Sequence, residues 1–328
     1  MLSRVADSIY WMSRYVERAE NVARFVDVNL NLMLDAPEGQ AQQWQPLVNT
    51  TGDHEEFSRR HPVANRGNVI QFLTFDPDNS NSILSCLRSA RENARSIREV
   101  ISSEMWEQVN VFYLMVKEAA ERRGGLEHPH AFYTQVKQAS HLFSGIADAT
   151  MTHGEPWQFL SLGRMLERAD KTSRILDVKY YILLPSVADV GTPADDIQWA
   201  AVLRSASAFE MYRKRHGRIS PHGVVKFLLL DPEFPRAIRF CLDRSREALH
   251  AVSGTPMCSF RIPAERLLGL LCSDLAYASV DEVVHSGLHE YLDDLQTKMN
   301  GVGLGIFETF LARRVPETTR KAPMGRLA

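Results

Sequence analysis

The sequence predicts an all-α fold, a pseudo-symmetric helical bundle built from two tandem copies of one helical unit. Three observations carry this. Residues 10–28, YWMSRYVERAENVARFVDV, return 150 positions later as residues 160–178, LSLGRMLERADKTSRILDV. The apolar residues of both copies recur at helical spacing. No stretch alternates apolar and polar residues with a period of two between hairpin turns.

The repeat separates two kinds of position. Arg14/Arg164, Glu17/Glu167, Arg18/Arg168, Arg24/Arg174 and Asp27/Asp177 are kept, and Glu20 becomes Asp170 with its charge intact. The apolar members drift, as from Tyr15 to Met165 and from Phe25 to Ile175. A core tolerates exchange of apolar residues of similar volume, so drift is expected there. Charges that do not drift point to a demand of geometry or chemistry. On a helical wheel Ser13, Glu17, Glu20, Arg24 and Asp27 form a narrow stripe edged by Arg14 and Arg18, opposite a broad apolar side. Such a stripe reads as a solvated face, or as half of one shared polar centre in which the two helices face each other. In a shared centre the arginines could hold a carboxylate or phosphate bidentately, or fix the register of the bundle as a buried network.

Taken in order, the first helix spans about Ser3 to Leu34 and ends at Asp35-Ala36-Pro37-Glu38-Gly39 by turn chemistry. Short helices follow over Trp44–Thr51, Asp53–Arg60 and Asn68–Phe75, the last stopped by Asp76-Pro77. Helical periodicity then runs from about Asn81 to Arg123, with a break at Ser102-Ser103-Glu104, where a serine cap precedes an acidic first turn. Gly124-Gly125 is a turn, and a helix covers about His130 to Ala149. The second half repeats the plan. Trp199 matches Trp44, Asp231-Pro232 matches Asp76-Pro77, and Cys241-Leu242 matches Cys86-Leu87. Small insertions sit around Pro185 to Asp196, and a closing helix spans about Asp281 to Arg313. The units are placed at 1–150 and 151–314, packed as one bundle because small units bury surface poorly alone. A loose basic tail covers 315–328.

Composition narrows the function classes. A net charge of −2 with interspersed charges gives a nucleic-acid partner no support. No apolar run approaches the ~20 residues of a membrane span, and the N-terminus lacks a secretory pattern. Cys86, Cys241, Cys258 and Cys272 are widely spaced without CxxC, which speaks against a disulfide framework or zinc site and fits a reducing cytoplasm. Cys86 and Cys241 read as small core residues. A di-metal bundle needs Glu-x-x-His on two helices. Only Glu282 with His285, followed by His289, has that spacing on a helix pattern, so no metal is assigned. Phosphate-cradling glycine loops and nucleophile motifs are absent, and no cofactor is assigned.

The opening MLSRVADSIYWMSRYVERAENVARF and the repeated ER-A-[ED] helix resemble the bacterial alpha-E family, over nearly the whole chain. The resemblance implies a helical protein whose Glu-Arg motif falls on Glu17-Arg18 and Glu167-Arg168. It also implies partnership with a circularly permuted ATP-grasp ligase and a transglutaminase-like peptidase, hence a system that makes or trims peptide-like amide bonds. A general base needs a carboxylate lifted toward neutrality, and neighbouring arginines act in the opposite direction. The residues therefore read as a binding centre of an accessory or scaffold component: Arg14, Glu17, Arg18, Glu20, Arg24, Asp27, Arg164, Glu167, Arg168, Asp170, Arg174 and Asp177. An acid–base enzyme and a purely structural network stay open, as does a homo-oligomer.

Overall fold

The computed structural model describes residues 1–34, 44–122, 126–182 and 193–312, and of 178–182 and 193–195 the backbone alone. Among the described residues there is no strand. The elements are α1 (Ser3–Leu34), α2 (Gln45–Thr51), α3 (His54–Arg60) and α4 (Arg66–Ile70), which runs into a π-helical turn over Gln71–Phe75. Then come α5 (Ile83–Ser96), α6 (Ser103–Glu121), α7 (Pro129–Thr150) and α8 (Glu155–Ile182). The chain continues through α9 (Pro193–Ser205), α10 (Phe209–His216), α11 (Pro221–Leu230), α12 (Ile238–Ser253) and α13 (Pro263–Tyr277). It closes with α14 (Val280–Ser286), α15 (Leu288–Ile306) and a second π-helical turn over Phe307–Leu311.

The two longest described helices, α1 and α8, carry the repeated segments and lie against each other. Gly163 permits this contact. A Cβ there would overlap the Ser13 hydroxyl and the Tyr10 carbonyl oxygen of α1. Helices α5 and α7 pack on α1, while α12 and α15 pack on α8. Helix α6 lies on α5 and α7, and α13 on α12 and α15. The apolar sides meet in one core that includes Ile9, Met12, Ala19 and Val26 of α1 with Leu162, Ala169 and Leu176 of α8. Cys86 and Cys241 are fully buried in it, and burial pushes both thiols up to about 12.

Local chemistry sets the helix starts. The hydroxyls of Ser82, Ser102 and Ser220 accept from the backbone N–H groups of Ser85, Met105 and Gly223, each at 3.1 Å, satisfying donors that the first turn leaves open. The Glu265 carboxylate accepts from the backbone N–H groups of Arg261 at 2.6 Å and Ile262 at 3.2 Å, holding the entry to α13.

Three expectations need correction. The closing helix is not continuous from Asp281 to Arg313. It breaks at Gly287, whose φ of +98° is outside helical geometry, and α14 and α15 lie on either side. The expected break in the long pattern from Asn81 is present, with Ser102 capping α6 ahead of Glu104, but it opens one turn earlier, at 97–101. The segment ending at Phe75 begins at Arg66, where Asn65 caps it, and finishes as a π turn. The turns at 35–39 and 124–125, residues 185–192 of the insertion expected over 185–196, and the tail at 315–328 lie outside the described residues.

Candidate functional site

The two charged stripes face each other, and their glutamates are exchanged across the α1–α8 contact. Glu167 of α8 is held by α1: Arg18 donates Nε to Oε1 at 2.7 Å and Nη2 to Oε2 at 3.0 Å, and Arg14 donates Nε to Oε2 at 2.8 Å. Glu17 of α1 is held by α8: Arg168 donates Nε to Oε1 at 2.9 Å and Nη2 to Oε2 at 2.8 Å. Both glutamates are thus gripped bidentately by the arginine of the opposite Glu-Arg pair, which is the strong geometry for this ion pair. Their relative exposures are 2% for Glu17 and 0% for Glu167, so the stripe is interior, not solvated.

Around Glu17 the network is closed by residues that the repeat comparison missed. Arg236, just ahead of α12, donates Nη1 to Glu17 Oε1 at 3.1 Å and Nη2 to Glu20 Oε1. Asn21 donates to Glu17 Oε1 at 3.1 Å. Glu20 also accepts from Arg24 Nη2 at 2.6 Å and from the Ser140 hydroxyl of α7 at 2.6 Å, with His141 Nε2 at 3.2 Å. Arg24 in turn donates to the Ser207 hydroxyl.

Around Glu167 the partners are fewer. Asn81 takes the Nη1 donor of Arg18 at 2.7 Å. Lys171 lies 3.7 Å from Glu167 and 3.1 Å from Asp170, and Arg174 donates Nε to Asp170 at 3.0 Å. Beside them opens a cavity of about 560 Å³. Arg14, Arg18, Lys171 and Arg174 line it from α1 and α8, and Met299, Leu304 and Phe307 from α15 and the turn after it. Arg14 also sits over the Trp11 ring, 4.9 Å from its centroid, and Trp11 lines the same cavity.

Electrostatics fix the protonation states. Burial alone would raise the pKa of Glu167, but Arg18, Arg14 and Lys171 reverse this and hold it well below the usual carboxylate range. Burial is likewise outweighed at Glu20 by Arg236, a His141 hydrogen bond and Arg24, which hold it well below that range. At Glu17 burial is outweighed by Arg168 and Arg236, and its pKa is lowered. All three are ionised at neutral pH and accept only.

Not every expected residue joins the centre. Arg164, the counterpart of Arg14, has a buried Nε without a hydrogen-bond partner, and burial with the nearby Arg168 pulls its pKa down. Asp27 turns to α7, with His130 Nδ1 at 2.7 Å and Lys137 Nζ at 2.6 Å. Asp177 pairs with His289 Nδ1 at 2.6 Å. That contact, and the break at Gly287, separate His289 from the helix of Glu282 and His285. Among the described residues no three histidine, cysteine or acidic side chains cluster as metal ligands.

Four Glu-Arg dipeptides occur in the chain. Glu121-Arg122 ends α6, and Glu265 serves the entry to α13. Only Glu17-Arg18 and Glu167-Arg168 face one another. The model of the Alpha-E family, described as a predicted alpha-helical domain with a conserved ER motif, matches residues 1–311. The chain belongs to the Alpha-E family. This Alpha-E chain is 24% identical over 273 residues to an uncharacterized protein of Mycobacterium bovis, and equally to one of Mycobacterium tuberculosis. Each match covers 77% of this chain and 30% of the relative, so the Alpha-E chain spans under a third of the length of those relatives. No solved structure matches. No described helix is long and apolar enough to cross a membrane.

Proposed function

We propose that this chain is an accessory component, not a catalyst, of a system that makes or trims peptide-like amide bonds, and that it works beside an ATP-grasp ligase and a transglutaminase-like peptidase in the cytoplasm. In this reading residues 1–150 and 151–314 are two copies of one unit, and the Glu-Arg pairs lock them into a single pseudo-symmetric bundle. The polar centre then offers bound cations to a carboxylate- or phosphate-bearing ligand or partner segment.

The observation that carries the proposal is the saturation of the carboxylates. Glu17 and Glu167 each accept three or more donors, at least two of them guanidinium. A carboxylate held ionised in this way is a poor proton acceptor, and its free energy goes into joining helices. The reading is tested by purifying the tagged chain together with a circularly permuted ATP-grasp ligase of the same source. Co-elution at micromolar concentration and a change in ligase turnover on adding the chain are expected. Separate elution with unchanged turnover contradicts the proposal.

A further inference from the structure

The two carboxylate clusters are built alike but finished differently. On the Glu17 side, Arg236, Ser140 and His141 fill the space next to the acids. On the Glu167 side the corresponding space is the 560 Å³ cavity, a size typical of small-molecule pockets. Four cations, Arg14, Arg18, Lys171 and Arg174, meet two carboxylates, Glu167 and Asp170, so positive charge is in excess. Arg174 binds Asp170 through Nε, and its Nη1 lies beside Gly52 at the cavity edge. The facing wall is apolar, and its outer members Leu304 and Phe307 are 58% and 46% exposed.

We propose that this cavity binds one small amphiphilic anion, with a carboxylate or phosphate head on Arg174 and Lys171 and an apolar body against Trp11, Leu304 and Phe307. The inference rests on the binding reading above and assigns it to the Glu167 side alone. The cations supply charge-assisted hydrogen bonds in a partly desolvated setting, where they are strongest. The apolar wall gains from covering the exposed ring of Phe307. A head group without a body leaves that wall wet, and a body without charge leaves the excess cations unmatched.

Calorimetric titration of the full chain tests this with three probes: N-acetylphenylalanine, its uncharged amide, and inorganic phosphate. The acid is expected to bind, the amide to bind at least about tenfold more weakly, and phosphate to compete with the acid. Arg174→Ala weakens the acid by about tenfold or more, the loss expected for a charged hydrogen bond. Gly303→Leu places a side chain in the cavity from a position where an added Cβ meets nothing within 4 Å, so the fold is kept and binding is abolished. Equal binding of acid and amide, undiminished binding to the Gly303→Leu chain, or no binding of any probe at about 10 mM, where even a very weak site is occupied, overturns the inference. Co-elution of the Gly303→Leu chain with the ligase separates failure of this pocket from failure of the accessory role.

Discussion

Glu17 and Glu167 receive the same bidentate grip, yet one ends in a packed wall and the other beside a cavity. Arg236 stands next to Glu17, whereas Asn81 completes the arginine shell of Glu167. Ser140 and His141 reach Glu20 from α7, whereas Met299 and Asn300 of α15 line the space near Asp170 without a hydrogen bond to it. The shared part of the pattern joins the helices, and the unshared part decides which side has room for a ligand. Variation between the clusters is therefore more informative about binding than the motif they have in common.

The largest contrast is expected from the glutamates themselves. Glu17→Gln leaves Arg168 and Arg236 buried beside a neutral amide and is expected to cost ~3–5 kcal/mol in urea unfolding, as for other broken buried pairs. Glu167→Gln is expected near the low end of that range, about 3 kcal/mol, because water in the cavity can reach Arg14 and Arg18. A larger loss for Glu167→Gln would reverse the comparison.

Acid probes both clusters at once. The pKa values of Glu17, Glu20 and Glu167 are lowered in the folded chain from an ordinary value of 4.5. The unfolded chain therefore binds protons first as the pH falls below that value, and the folded chain does so only further down. The stability these groups contribute is complete above 4.5 and is lost progressively below it, toward their folded values. Unfolding free energy measured against pH should be flat in these groups from neutrality to 4.5 and fall beneath it, and Glu17→Gln should flatten the fall.

At the helix contact, Gly163→Ala forces α1 and α8 apart at the Tyr10 carbonyl and is expected to cost ~1–3 kcal/mol in the same assay. The smallest contrast lies at the far ends of the stripes. Gly52, beside Arg174, has φ +83°, and Ser207, the acceptor of Arg24, has φ +51°. Gly52→Ala is expected to cost ~1 kcal/mol through its left-handed backbone. Ser207→Gly relieves the same strain and loses one hydrogen bond, so thermal unfolding should move little.

Much of this was readable before the structure. The first helix begins at Ser3 as expected, and of the charges kept in the repeat Glu17-Arg18 and Glu167-Arg168 face each other, whereas Asp27, Asp177 and Arg164 do not join them. What escaped has physical reasons. Arg236 lies in a loop ahead of α12, where no periodicity marks it, and it replaces Asn81 in the matched half. Asn21 and Lys171 hold equivalent places with different chemistry, so a search for unchanged charges passed over both. Gly287 interrupts an apolar pattern that continues across it, and only its φ reveals the break. Arg164 shows that a kept residue need not keep its bond.

The joining of α1 to α8 by exchanged Glu-Arg pairs is tested most directly by a double-mutant cycle in urea with Glu167→Gln and Arg18→Ala, whose side chains meet at 2.7 Å. A coupling of about 2–3 kcal/mol is predicted, as for residues in one buried network. Additivity within ~0.5 kcal/mol, the behaviour of independent sites, would contradict it.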